Sequence, residues 1–186
     1  GVLFDNCFVT TAICMTSRAS ILTGQYASRH NIWGFQNSFT PQQLAATYPG
    51  VLKDAGYYTG FIGKWGVGKP PQDLFDYNRG FPGQGLYFQE VNGKRTHLTQ
   101  IMTAQALEFL DQAPGDRPFC LSVSFKAPHR QDANPAAFLY EPDLEHLYKN
   151  VSMPKPVCAE ESFFQALPDF LKESEGRIRW KIHFPA

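Results

Sequence analysis

Three short stretches of this chain carry residues able to do chemistry. The first is "CMTSRASILTG" (14–24), with Cys14 four residues before Arg18. If a helix begins near Ser17, Cys14 sits just before its N-terminus. Free backbone N–H groups and the positive end of the helix dipole would then favour a thiolate or a bound oxyanion there. Arg18 would rise on the same face, with a planar guanidinium suited to an oxyanion or to orienting a nucleophile. The second stretch, "YYTGFIGKWG" (57–66), ends an apolar run on Lys64, a compact cation. The third, "SFKAPHR" (124–130), ends another on Lys126 and His129, and an imidazole can pass a proton near neutral pH. An isolated Cys-x-x-x-Arg is more often a buried thiol beside a surface cation. Cys14 with His129 could also be a thiol-protease pair, but neither has a recognisable acyl-transfer oxyanion hole nearby.

The elements that would position these groups follow from the apolar pattern. Residues 3–13 predict a strand ending at Cys14, and "SRASILTG" predicts a short helix stopped by Gly24. Thr40-Pro41 starts a further helix, and helical sequence continues over 49–55 until Gly56. Strand formers fill 57–62, while the Gly- and Pro-rich stretch 70–95 reads as loop. Thr96 is the expected cap of a helix whose Leu98, Ile101, Met102, Ala106, Phe109, Leu110 and Ala113 share one face. "PFCLSVSF" (118–125) predicts a strand with bulky Phe119, Leu121, Val123 and Phe125 on one side and Cys120, Ser122 and Ser124 on the other. "ESFFQALPDFLKES" predicts an amphipathic helix broken at Pro168. This alternation predicts an α/β fold with a largely parallel central sheet flanked by helices. Ligands of such sheets bind beyond the carboxyl ends of the strands, where Cys14, Lys64, Lys126 and His129 all fall.

Composition narrows the function. The 186 residues hold 17 Lys+Arg and 17 Asp+Glu, so the net charge is zero. This excludes a broad basic surface for nucleic acid or an anionic membrane, and any anion must be held by a few local charges. Apolar residues are 43% and charged residues 18%, an ordinary globular balance that excludes a disordered tail. No apolar run approaches the roughly 18 residues of a membrane span. The chain opens Gly1-Val2-Leu3-Phe4 without a basic-then-apolar leader, which reads as a processed or excised piece. None of the four cysteines forms a Cys-x-x-Cys pair, so a structural zinc site is not expected. Cys7, Cys120 and Cys158 are expected to be small buried hydrophobes.

"CMTSRASILTG" resembles the sulfatase signature C-x-P-S-R-x-x-x-x-T-G, and "LKDAGYYTGFIGKWG" (52–66) is similar to the second sulfatase signature. "SFKAPHR" resembles the family's strand-end loop that carries the leaving-group histidine. The resemblance runs over about residues 3–130 and is weaker to 186. It implies part of a single alkaline-phosphatase-like catalytic domain, with the core at 1–130. It also implies that Cys14 is converted by a maturation enzyme to Cα-formylglycine, whose hydrate takes up sulfate on one hydroxyl and expels it with the other. Arg18 would orient those hydroxyls, Lys64 would hold a sulfate oxygen, with Lys126 a second contact, and His129 would protonate the departing alcohol. The implied substrate is a sulfated carbohydrate or aryl sulfate, and the implied location is periplasmic or secreted.

The family also holds Ca²⁺ beside the formylglycine, which would make position 14 a metal ligand. Its other ligands come from an Asp-Asp pair before the Cys signature and an Asp-Asn pair after the histidine, and neither is present here. The expectation is a chain lacking both ends of the complete enzyme, with little turnover of its own. Asp5-Asn6 is expected to be structural; Asp54, Asp73, Asp76, Asp143 and Asp169 are expected to be solvated or capping. Two further departures are Gly66, where the second signature usually carries a histidine, and Thr16, where the first carries proline. Two alternatives stay open. One is phosphomonoester or phosphonate hydrolysis on the same fold, and the other is an inactive sulfate- or glycan-binding protein.

Overall fold

The computed structural model describes residues 1–132 and 138–176. The chain divides into two units, Gly1–Pro142 and Asp143–Ala186. In the first unit the elements are α1 (Cys14–Thr23), α2 (Ala27–His30), α3 (Pro41–Ala45), α4 (Tyr48–Asp54), β1 (Tyr58–Lys64), β2 (Tyr77–Phe81), β3 (Phe88–Val91), β4 (Lys94–His97), α5 (Leu98–Gln112) and β5 (Phe119–Ser124). A 3-10 turn spans Pro142–Tyr148. The second unit continues with a 3-10 turn at Val157–Ala159, α6 (Glu161–Gln165) and α7 (Asp169–Lys172). Pro168 separates α6 from α7 and is the N-cap of α7, as its missing N–H and fixed φ require.

The central sheet has the order β2-β1-β5, and both pairings are parallel. β1 is therefore the inner strand, and all six of its residues after Tyr58 are buried. Successive residues of a strand face opposite sides, so β1 feeds two cores. Ile62 packs with Tyr77, Leu98, Met102 and Phe109 under α5. Phe61 packs with Met15, Ala19, Leu22, Trp65 and Phe75 under α1. The expected bulky face of β5 is present: Leu121 and Val123 join the α5 core, and Phe119 meets Phe109 edge-on at 5.7 Å. Burying side chains of this size contributes roughly 2–3 kcal/mol each. Gly60 lets α5 come close: a Cβ there would lie 2.5 Å from the Phe109 ring.

Several local predictions hold with shifted boundaries. Gly24 closes α1 in the left-handed conformation (φ 66°), and its N–H caps the Ser20 carbonyl. The helix starts at Cys14, three residues before the expected Ser17. Thr40 forms a capping box with Gln43 ahead of Pro41. Helix α5 is capped by His97, whose ring accepts the Thr99 N–H, one residue beyond the expected Thr96. Leu98, Met102 and Phe109 are buried in α5, but Leu110 is half exposed.

Three expectations are corrected. Residues 3–13 form no strand, and residues 1–10 are exposed, because extended backbone becomes a strand only beside a partner and none of the described strands lies along it. The stretch 70–95 is more than loop. It contains β2, paired to β1, and a β3–β4 hairpin turning on Asn92 (φ 51°) and Gly93 (φ 74°). Asn-Gly is the turn pair that the twist of a tight hairpin favours. Cys7 and Cys158 are exposed, whereas Cys120 is part-buried on the small-residue face of β5. Among the described residues no helix is long and apolar enough to cross a membrane.

Two buried polar side chains in this unit carry measurable consequences. His30 is 1% exposed; its Nδ1 accepts the Ile32 N–H at 3.0 Å, which leaves the proton on Nε2, 3.1 Å from the Ser20 hydroxyl. Burial pushes its pKa below the ordinary value of 6.5. The unfolded chain takes up a proton near that value and the folded chain only lower down, so stability rises with pH across this window. Stability should therefore fall as pH drops through about 6.5. His30→Asn keeps an acceptor for Ile32 but cannot titrate, so its melting temperature should depend less on pH between about 7 and 5 than the wild type's. Parallel curves for the two proteins would contradict this. Thr16 is fully buried in α1, and its hydroxyl has no partner among the described residues. Thr16→Val keeps the shape and removes the orphan, so denaturant unfolding should show a gain of about 1 kcal/mol.

Candidate active site

Cys14 is the first residue of α1, and its N-cap, Ile13, offers no side chain to the first turn. The first-turn N–H groups therefore stay free and no acidic side chain offsets them, which leaves the positive end of α1 around Cys14. Met15, Ala19 and Leu22 anchor this helix in the core and so fix where Cys14 stands.

Arg18, one turn along, crosses to the sheet. Its Nη1 donates to the Lys64 carbonyl oxygen at 2.8 Å and to the Ser124 hydroxyl. These are the last residues of β1 and β5, so one guanidinium ties α1 to two strand ends. Gly66 makes room for it: a Cβ there would lie 2.7 Å from Arg18 Cδ and 3.3 Å from Lys64 Cε. Its φ of 76° also favours glycine. Position 66, where the second signature usually carries histidine, thus gives its space to Arg18. Burial lowers the pKa of Arg18 and the Cys14 side chain opposes that shift.

Lys64 and Lys126 are each 4% exposed. Lys64 Nζ donates to Gln84 Oε1 at 2.7 Å. Lys126 Nζ donates to the carbonyl oxygens of Gln84 (3.2 Å) and Arg130 (3.3 Å) and lies 4.9 Å from the centre of the Tyr87 ring. Burial pulls the pKa of Lys64 below its usual value, and the neighbouring Arg18 charge pulls the same way. The Cys14 side chain acts against both. Burial likewise lowers Lys126; Asp132 opposes this and the charge of Lys64 adds to it. Among the described residues neither lysine makes a salt bridge. A small cleft of about 160 Å³ opens beside Lys64, lined also by Cys14, Gly66, Gly83 and Gln84, with exposed Phe35 in its wall.

The structure therefore brings Cys14, Arg18, Lys64 and Lys126 together. His129 stands slightly apart. Its ring is exposed, with Nδ1 2.8 Å from the Arg130 carbonyl oxygen, and its backbone N–H donates to the Lys126 carbonyl. A carbonyl can only accept, so Nδ1 carries the proton and Nε2 is the nitrogen left to face a ligand. Asp76, expected to be solvated or capping, instead accepts from the Thr59 N–H and hydroxyl.

Sequence reasoning missed Gln84, Tyr87 and the strap role of Ser124. Gln84 follows the missed strand β2 by three residues, and its flanking Gly83 and Gly85 were the available signal. Tyr87 donates its hydroxyl to the His129 carbonyl at 2.8 Å.

The described residues contain no group of three His, Cys, Asp or Glu side chains able to hold a metal ion. The groups around Cys14 are cations and an amide, which is the wrong donor set for a Ca²⁺ cage. The described residues therefore do not fit the cation that the sequence resemblance implies.

A sulfatase family model matches residues 1–169. An N-acetylglucosamine-6-O-sulfatase of Bacteroides thetaiotaomicron is 33% identical over 167 residues, covering 84% of this chain and 28% of the relative. The N-acetylglucosamine-6-sulfatase of Capra hircus is 28% identical, covering 83% and 32%. The human N-acetylgalactosamine-6-sulfatase is 29% identical, covering 69% and 33%. The chain thus spans about a third of the length of these relatives. A solved protein in complex with its substrate, D-glucosamine-2-N,6-O-disulfate, superposes with a TM-score of 0.66 at 31% identity, over 82% of this chain and 31% of that one. The signatures at Cys14 and Lys64, the parallel sheet that carries them and the match across residues 1–169 establish that this chain belongs to the sulfatase family.

Proposed function

We propose that the whole protein is a sulfuric ester hydrolase acting on sulfated sugars, with 6-O-sulfated glucosamine units as the substrate class. The observation that carries this reading is the cluster at the strand ends beside Cys14: half-buried Arg18 with buried Lys64 and Lys126, cations with no carboxylate at ion-pair distance among the described residues. Such a cluster is costly unless an anion completes it. The relatives named above supply the sugar class.

In this reading Cys14 is converted to formylglycine, which supplies a hydrated aldehyde as the nucleophile. The residues of the chain do the rest. The N-terminus of α1 and Lys64 hold sulfate oxygens and stabilise the charge that builds on them. Arg18, fixed by the Lys64 carbonyl and Ser124, keeps position 14 aligned with the cleft. Lys126 adds a second positive charge. His129, with Nδ1–H held by the Arg130 carbonyl, presents Nε2 to protonate the leaving alcohol when the ring is cationic. Both units belong to one catalytic domain, Ca²⁺ is held together with groups other than the described residues, and the enzyme works in the periplasm or outside the cell. Its partners are the sulfated glycan and the maturation enzyme that converts Cys14.

The full protein co-expressed with a maturation enzyme should release inorganic sulfate from 6-O-sulfated N-acetylglucosamine. The tryptic peptide holding Cys14 should be lighter by about 18 Da, the signature of thiol-to-aldehyde conversion. Cys14→Ala should abolish release. Full activity in that variant, or a preference for the matching phosphate ester, would defeat the proposal. Lys64→Ala should lower kcat/KM by about 100-fold or more while the protein stays folded. A loss under about threefold would remove Lys64 from the sulfate contacts.

A further inference from the structure

We infer that Gln84 is the positioning residue of the anion cradle: one residue holds Lys64 and Lys126 side by side with neutral oxygens, leaving their charge for the ligand. This rests on the sulfate-binding reading above. The two lysines come from different places, Lys64 at the end of β1 and Lys126 two residues beyond β5. Each has a flexible four-carbon stem that loses considerable rotamer entropy when fixed, and their charges repel. Something must hold them. Gln84 does so from both its side chain (to Lys64, 2.7 Å) and its backbone (to Lys126, 3.2 Å).

The chemistry of the acceptor decides what the site can do. A buried ammonium is usually compensated by a carboxylate. Here the side-chain partner is an amide, which accepts a charge-assisted hydrogen bond but adds no negative charge. Lys64 is oriented without being neutralised. A carboxylate at the same place would form an ion pair with it and repel an incoming sulfate.

Gln84 is itself well fixed. It lies between Gly83 (φ 68°) and Gly85 (φ 66°), both left-handed. A Cβ at Gly85 would meet the Phe81 ring at 2.9 Å, so the loop packs directly on the end of β2. Three residues on, Tyr87 ties the loop to the segment after β5. Its N–H donates to Gln131 Oε1 at 2.7 Å and its hydroxyl to the His129 carbonyl. The loop therefore sets the spacing of the two lysines from β2, the outer neighbour of β1.

The test uses the matured full-length protein and two near-isosteric variants, Gln84→Glu and Gln84→Met. Calorimetry measures binding of inorganic sulfate, and steady-state kinetics give kcat and KM on the 6-O-sulfated sugar. Gln84→Glu should weaken sulfate binding and raise KM by about tenfold or more, with an unchanged or higher melting temperature. Gln84→Met should lower kcat/KM by about tenfold through misplaced lysines. A merely structural role would lower the melting temperature and leave sulfate affinity alone. Sulfate binding by Gln84→Glu within about twofold of wild type overturns the inference. Should that variant fail to fold, Gln84→Met decides, and wild-type affinity together with wild-type kcat/KM overturns it. A wild-type protein that binds sulfate but hydrolyses nothing would sink the catalytic reading, and the binding comparison would still decide the role of Gln84. A wild type that binds no sulfate overturns the inference outright.

Discussion

Positive charge buried without a counter-charge is the constraint around which this molecule is arranged. Lys64 and Lys126 are nearly inaccessible, and Arg18 reaches across to the same corner. Each is held by carbonyl, amide or hydroxyl oxygens, and none by a carboxylate at ion-pair distance among the described residues. Dipolar oxygens compensate an ammonium only partly. Burial lowers the proton affinity of both lysines; the Arg18 charge adds to this at Lys64 and the Lys64 charge at Lys126, while Cys14 and Asp132 act against it. An anion in the cleft would complete the compensation.

The sheet makes the arrangement possible. Three parallel strands in the order β2-β1-β5 end at the same edge. Just at or beyond those ends are Lys64 from β1, Gln84 from β2 and the Lys126–His129 segment from β5, so each strand delivers one piece of the site. Parallel strands all present their carboxyl ends together, which is why ligand sites of such sheets gather there. Helix α1 adds the fourth piece from the other direction, with its N-terminus and Cys14 brought over the edge by Met15, Ala19 and Leu22. The Arg18 strap then locks helix to sheet.

Glycine fixes how closely these parts approach. At position 60 the absent Cβ lets Phe109 of α5 touch the strand, which sets the helix on one face. At position 66 it lets the Arg18 side chain pass against the backbone. A side chain at 66 would have to displace Arg18 from its path between helix and strand ends. The hydroxyl of Thr16, in the first turn of α1, has no partner among the described residues.

What the sequence determined alone was whatever depends on neighbours along the chain. Gly24 ending α1, the Thr40-Pro41 helix start, the two faces of β5 and the break at Pro168 are local preferences that the fold did not override. The signatures around Cys14 and Lys64 were legible because their spacing is unusual. Tertiary structure decided what needs a partner from far away. Residues 3–13 have the composition of a strand but no described strand to pair with, and β2, a short stretch holding Asn78, Arg79 and Gly80, pairs because β1 lies beside it. Gln84 lies 20 residues from Lys64 and 42 from Lys126. No pattern of spacing links three such residues. Only the closing of β2 against β1 puts one amide between two ammonium groups, because hydrogen bonds and desolvation depend on distance in space rather than along the chain.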